Sequence, residues 1–323
     1  MTPASQLCAP HLVDAPLLRL VPQPSPHSLL LQPEAGIEPL LDALDHARYR
    51  VFVKMFKLTS EPLIERLAAA ARRGVAVRVM LNPSRSDGSR ANDEAFERLQ
   101  QAGVEVQWTH PAFYVTHEKS MVVDHIAFIC TFNFAEKYFT KTRGYAIVTR
   151  DSAEVDEVVA GFDADWDRRD FQPYRLVWSQ GAQGNTRQRV SELFESARSS
   201  IEIQNPKLVD EQSLNQLIEA CRRGVRVRFL SSGLKCLSHW DIAENTAAMK
   251  ALREVGARVR ELKRPKVHAK LILVDRQRAL VGSMNLDRSC FELRRELGVI
   301  VENPIPLGEL SRQFELDWSL ANR

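Results

Sequence analysis

Two stretches of this chain carry the same three chemistry-bearing residues at the same spacing. His117, Lys119 and Asp124 form the first set, and His268, Lys270 and Asp275 the second, 151 residues further on. Paired imidazoles beside paired ammonium groups suit the cleavage of a phosphodiester without a metal. One imidazole attacks phosphorus, the other protonates the leaving oxygen, and the lysines hold the phosphate charge. Lysine suits a phosphate that changes shape during in-line attack, because its charge is compact and its donors rotate. Nowhere does the chain show the clustered His/Cys/carboxylate spacing of a metal site, so no metal or other cofactor is expected. His110, His125 and His239 have no matched lysine and read as ordinary surface or core histidines.

The two sets sit inside a longer internal repeat. Ala70-Ala71-Arg72-Arg73-Gly74-Val75-Ala76-Val77-Arg78-Val79 returns as Ala220-Cys221-Arg222-Arg223-Gly224-Val225-Arg226-Val227-Arg228-Phe229. Asn133 matches Asn285, and Phe162-x-x-Asp165-Trp166 matches Phe314-x-x-Asp317-Trp318. The offset drifts only from 150 to 152 residues, as loop insertions between fixed elements would produce. This is one fold duplicated in tandem, since solenoid repeats are far shorter. The paired aromatics of the Phe-x-x-Asp-Trp motif read as helix core contacts.

The elements that must position these residues alternate. Tyr49–Met55 reads as a strand, Glu61–Arg73 as a helix with Leu63, Ile64, Leu67 and Ala71 on one face, and Val75–Leu81 as a strand after the break at Gly74. A helix near Ala91–Ala102 and a strand at Val104–Trp108 follow. Then come strands at Lys119–Asp124, Ile126–Thr131 and Tyr145–Thr149, and a closing helix near Ala153–Trp166; the second half repeats the order. The period of two points each lysine the same way as its histidine. Asp124 and Asp275 end the apolar runs at turns, where a carboxylate accepts backbone N–H groups, and read as structural. Alternating βα units followed by a cluster of strands predict an α/β fold of two tandem α/β/α lobes with mixed sheets. The divisions are an irregular Pro-rich arm over 1–32, a first lobe over 33–170 and a second over 171–323.

Composition agrees with a globular protein: of 323 residues, 44% are apolar and 26% charged, with a net charge of +3. That balance suits an anionic ligand without choosing nucleic acid over a lipid head group. Five irregularly spaced cysteines give no disulfide framework. No basic, apolar leader opens the chain and no apolar run reaches the roughly 18 residues of a membrane span. The expectation is a cytoplasmic monomer with peripheral membrane contact.

These motifs resemble the phospholipase D superfamily, the HKD phosphodiesterases. The resemblance covers roughly Pro39–Trp318 and includes Gly282-Ser283-Met284-Asn285 and Glu296. It implies two α/β/α lobes whose motifs meet across a pseudo-twofold axis, with His117, Lys119, His268, Lys270 and Glu296 catalytic. It also implies a phosphohistidine that water or an alcohol resolves, and His117 as the nucleophile. Thr131, Asn133, Ser283 and Asn285 are expected to bind substrate phosphate.

Two departures stand out in the first half. Gly-Ser-x-Asn becomes Cys130-Thr131-Phe132-Asn133, and the position of Glu296 is Gly144. Glu296 is therefore expected to hold His268 by Nδ1, leaving His117 dependent on some other group such as Glu136. Three functions follow: an enzyme of glycerophospholipids, a nuclease at the same site, or a catalytically silent binding module. A nuclease would carry a denser basic groove. A lipid enzyme would carry an exposed apolar rim, for which Pro111-Ala112-Phe113-Tyr114-Val115 is placed, and the basic run Arg260, Lys263, Arg264 and Lys266 could draw in phosphate.

Overall fold

The computed structural model describes residues 25–84, 88–179, 184–234 and 237–322. The first half runs β1 (His27–Gln32), α1 (Glu38–Asp45), β2 (Arg50–Met55), α2 (Glu61–Arg72), β3 (Ala76–Leu81), α3 (Asp93–Gln101), β4 (Glu105–Trp108), β5 (Val115–Thr116), β6 (Lys119–Val123), β7 (Ile126–Cys130), α4 (Glu136–Thr140), β8 (Thr142–Thr149) and α5 (Ser152–Trp166). The second half runs β9 (Val177–Ser179), α6 (Thr186–Ser196), β10 (Ser200–Gln204), α7 (Glu211–Arg222), β11 (Arg226–Ser231), α8 (His239–Glu254), β12 (Arg258–Glu261), β13 (Lys266–Val267), β14 (Leu271–Val274), β15 (Arg278–Gly282), α9 (Arg288–Glu292), β16 (Arg294–Val301) and α10 (Pro304–Leu320).

Each half builds a mixed sheet. The first orders its strands β1-β8-β7-β6-β2-β3-β4, and the second β12-β11-β10-β14-β15-β16, with β9 on the far side of β16. The β2, β3 and β4 strands are parallel, joined by α2 and α3 as crossovers, whereas β6, β7 and β8 are antiparallel. Helix α2 buries Leu63, Ile64 and Leu67 on one stripe and stops at Gly74, whose φ of 90° is the left-handed conformation a C-terminal cap demands. Gly224, at φ 85°, repeats the stop after α7.

The arm reading fails at its C-terminal end. Residues 27–32 form β1, antiparallel to β8 with Leu30 opposite Ala146. Three successive leucines in a strand-edge position bury too much apolar surface to remain an irregular arm; the preceding residues, 1–24, lie outside the described chain.

Three cores stack between the layers. Helices α1–α3 cover one face of the first sheet, and α6–α8 cover one face of the second. Between the sheets lies a shared core in which Val122, Tyr145 and Ile147 of the first lobe meet Leu271, Val281 and Val299 of the second, with Phe162 of α5 and Phe314 of α10. The Phe162–Trp166 and Phe314–Trp318 pairs stack within this layer.

The seam is also bonded directly. Strand β5 pairs in parallel with β16, Thr116 opposite Arg295, and β13 pairs in parallel with β8, Val267 opposite Arg143. Each lobe thus lends the other's sheet a two-residue strand immediately before its histidine. Buried ion pairs repeat the exchange: Arg295 Nε lies 3.0 Å from Asp165 Oδ2, and Arg143 Nε 2.8 Å from Asp317 Oδ2. The aspartates of the repeated Phe-x-x-Asp-Trp motif therefore clamp the lobes together, a role the sequence pattern does not disclose.

Candidate active site

Both histidines stand at the seam because the lent strands deliver them there. The His117 amide donates to the Arg295 carbonyl at 2.8 Å, and the His268 amide donates to the Arg143 carbonyl at 2.9 Å. The apolar runs that follow, Met121-Val122-Val123 and Leu271-Ile272-Leu273-Val274, are buried and fix the strands behind them. Asp124, at φ 52°, accepts the backbone N–H groups of Arg48, Tyr49 and Arg50; Asp275, at φ 53°, accepts those of Arg198, Ser199 and Ser200. Both aspartates pin the end of a strand, and these bonds hold their carboxyls below the usual range against the opposing effect of partial burial.

The carboxylate goes to the other histidine from the one expected. Glu296 lies beside His117, its oxygens 2.9 and 3.0 Å from Nδ1, and not beside His268. The reason is the strand exchange: Glu296 follows Arg295, the residue bonded to His117, so β16 serves the opposite lobe's histidine. Glu136, the alternative partner, is exposed on α4.

The electrostatics fix the protons. Burial opposes ionisation of Glu296, but the His117 ring, its hydrogen bond and Lys119 hold its pKa down to about 2. Burial drives His117 down to about 3, which outweighs the attraction of Glu296. An ionised carboxylate only accepts, so Nδ1 of neutral His117 must carry the proton and Nε2 the free lone pair. Phe56 packs edge-on against this ring at 4.9 Å.

His268 has a different surround. Its carboxylate position is Gly144, where an added Cβ would come 2.9 Å from Phe132 Cδ1. The ring of Tyr138 lies 4.6 Å from the His268 ring instead. Lys270 Nζ donates to the His268 carbonyl at 2.6 Å and stands 3.2 Å from Nδ1. Burial, then the charges of Lys270, Lys119 and His117, push the His268 pKa well below the histidine range. Lys119 donates to the His117 carbonyl and is brought down to about 8, chiefly by burial. Burial followed by Lys119 pushes Lys270 well below the lysine range. These mutual influences place both histidines and both lysines in one electrostatic neighbourhood.

The remaining expected residues divide. Thr131 Oγ1 accepts the Tyr145 amide at 2.9 Å, and Ser283 Oγ accepts the Leu297 amide at 3.0 Å. Both are fully buried, so these hydroxyls hold the strands that carry position 144 and Glu296. The amide oxygens of Asn133 and Asn285 are buried without a hydrogen-bond partner; these are acceptors, which suit a ligand hydroxyl and not a phosphate oxygen. Cys290 was not anticipated: with His117 and Glu296 it forms a cluster whose ligand atoms lie within 4.8 Å of one another. Cys290 corresponds in the repeat to Tyr138, 152 residues earlier, and that alignment was the available signal.

Two lobes exchanging strands around paired His-x-Lys motifs define the phospholipase D fold. The family model described as "Cardiolipin synthase, PLD-like domain" matches residues 40–166 and 190–318, and the chain belongs to that family within the phospholipase D superfamily. Among curated relatives, cardiolipin synthase 1 of Bacillus anthracis is 23% identical over 90% of this chain and 66% of its own length. Cardiolipin synthase A of Pseudomonas aeruginosa is 26% identical over 90% of this chain and 66% of its own length. The chain therefore spans just under two thirds of those relatives. In fold it is similar to the phosphatidylserine synthase of Haemophilus influenzae, with a TM-score of 0.73 at 14% identity over 92% of this chain and 86% of that one. It is also similar to the polyphosphate kinase of Porphyromonas gingivalis, with a TM-score of 0.72 at 18% identity over 91% of this chain and 47% of that one. No helix among the described residues is long and apolar enough to cross a membrane.

Proposed function

We propose that the protein transfers the phosphatidyl group of a glycerophospholipid to water or an alcohol through a phosphohistidine, without a metal. The observation that carries this is the Glu296 carboxylate on Nδ1 of His117, which leaves Nε2 free to attack phosphorus. His117 is thus the nucleophile; Lys119 and Lys270 hold the phosphate oxygens, and Asn133 and Asn285 can add to this only by donating their amide NH2 groups. His268 delivers the proton to the leaving oxygen. In the free site burial, and then the nearby lysine charges, keep His268 neutral; a bound phosphodiester anion offsets both and lets it carry that proton. After the alcohol leaves, neutral His268 accepts the proton of the incoming water or alcohol, which attacks the phosphohistidine and regenerates Nε2.

A phospholipid is favoured over nucleic acid by the surroundings. Beside the site a cleft of about 1330 Å³ is walled by Lys207, Arg187 and Arg294 but also by Asp210, Asp241, Glu244, Asp287 and Glu292. Such a mixed wall does not suit a polyanion. Its lining also includes Tyr114 and Trp240, exposed at 65% and 66%, and half-exposed Leu293. Tyr114 donates its amide to the Leu293 carbonyl, so this part of the rim adjoins the strand pair that carries His117 and Glu296, while Trp240 stands at the start of α8. The rim supports peripheral contact with a bilayer interface, where Tyr and Trp side chains are at home. Purified protein assayed with EDTA on mixed phospholipid vesicles and on single-stranded DNA tests the reading. Release or exchange of the lipid head group without DNA cleavage is expected; DNA cleavage alone would replace it with the nuclease, and inactivity on both with a silent binding module.

A further inference from the structure

We propose that a soft divalent cation such as zinc binds between His117, Cys290 and Glu296 and switches the catalytic centre off. The three side chains bring a nitrogen, a sulfur and an oxygen donor together from both lobes, all buried, and among the described residues they are the only such cluster. Zinc takes these three donor types at about 2.0–2.3 Å and keeps a fourth position for water. Donors within 4.8 Å of one another reach those lengths with small side-chain shifts. The pseudo-symmetric place offers nothing comparable, because Gly144 and Tyr138 stand where Glu296 and Cys290 would be. One ion per chain is therefore expected. Lys119 and Arg294 nearby oppose a dication and limit the affinity.

Inhibition follows from the tautomer. The cation bonds to Nδ1, to the Glu296 carboxylate and to the Cys290 sulfur. The imidazole remains neutral, so the proton that Nδ1 carried moves to Nε2; the thiol proton is released to solvent. Nε2 then has no lone pair with which to attack phosphorus. Only this inhibitory half rests on the proposed nucleophilic role of His117; the binding half stands on the donor geometry alone.

Cobalt(II) titrated into reduced, chelator-washed protein reads the site directly. A near-ultraviolet thiolate-to-cobalt band saturating at one ion per chain, and abolished by zinc, is expected. C290S should lose the band although Cys130 and Cys221 remain, and H117N should weaken cobalt binding roughly 10–100-fold. The ratio of activity with zinc to activity with EDTA, taken within each protein, should fall steeply in the wild type and at least about tenfold less steeply in C290S. A band that survives in C290S, or micromolar zinc that neither binds nor inhibits the wild type, overturns the proposal. Should C290S fail to fold, H117N with an unchanged cobalt band would do the same. The spectral arm reports even if no phospholipid activity is found, so the two readings fail separately.

Discussion

Glu296, carried by the second lobe, stands 2.9 Å from Nδ1 of His117 in the first. The nucleophile proposed for one repeat is thus oriented by a side chain 179 residues away in the other, and neither lobe holds a complete site alone. Glu296→Gln keeps the volume but removes the charge that fixes the Nδ1–H tautomer. A fall in kcat of roughly 10²–10⁴ is expected, by analogy with the loss of an orienting carboxylate elsewhere, with KM little changed. Steady-state kinetics on vesicles, with circular dichroism to establish folding, checks it. Retention of full activity would remove Glu296 from the mechanism.

The pH profile should lack the limb usually given by a nucleophilic histidine. His117 is held near 3 by burial, so it stays neutral throughout the range near 6.5 where an exposed imidazole titrates. Lys119, held near 8, is cationic below that value and neutral above it. As pH rises through about 8 the phosphate loses this charge, and kcat/KM should fall on the alkaline side. A profile that stays flat to pH 10 would show that Lys119 does not hold the phosphate in the rate-determining step.

The ring of Tyr138 should matter through leaving-group chemistry. It packs 4.6 Å from His268, where the opposite lobe places Cys290 beside a carboxylate-bound histidine. Tyr138→Leu should let the proposed general acid rotate, slowing release of an alkoxide by roughly tenfold to a hundredfold, within the usual reach of acid catalysis. A phosphodiester with a nitrophenolate leaving group needs little protonation and should be nearly unaffected. Equal losses on both substrates would point to a structural defect instead.

Much of this was legible in the sequence, in an uneven way. The duplicated His-x-Lys-x4-Asp set, the Gly74 and Gly224 helix stops and the apolar strand runs are local signals, and they disclosed the α/β lobes. The partner of Glu296 was not local. Assigning it to His268 followed the proximity of the two residues in one repeat. The two-residue strands β5 and β13, too short for any periodicity, reverse that pairing by crossing the seam. Asp165 and Asp317 were masked for the same reason. Their arginine partners lie 130 and 174 residues away, and the aromatic members of the motif drew attention to the core.

The crossed ion pairs should hold the lobes together. Asp165 lies 2.6 Å from Lys54 Nζ and 3.0 Å from Arg295 Nε, all three nearly inaccessible to solvent. Asp165→Asn leaves two buried cations without their shared anion, a loss of about 3–5 kcal/mol by comparison with other broken buried pairs. Denaturant unfolding should show a reduced midpoint, and activity should fall with it because Arg295 neighbours Glu296. A midpoint unchanged from wild type would mean that Glu118, 3.1 Å from Lys54, compensates fully.

The missing carboxylate of the first lobe can be supplied. Gly144 occupies the position of Glu296, and an added Cβ there would press on Phe132 at 2.9 Å. The residue matching Phe132 in the second lobe is Met284, whose unbranched side chain lies beside the strand that carries Glu296. Gly144→Glu alone should therefore destabilise, whereas Gly144→Glu with Phe132→Met copies an arrangement the fold already tolerates. In the double variant a carboxylate would approach Nδ1 of His268 as Glu296 approaches His117, favouring imidazolium where Lys270 and Lys119 now oppose it. The His268 pKa should rise, which proton-detected NMR of the labelled imidazole reads directly against the wild type. If proton delivery to the leaving oxygen limits turnover, kcat on an alkoxide-releasing phospholipid rises with it. If breakdown of the phosphohistidine limits turnover instead, only the pH profile moves. An unchanged His268 titration in a folded double variant would mean that β8 does not face His268 as β16 faces His117, and the pseudo-symmetric account of the site would be wrong.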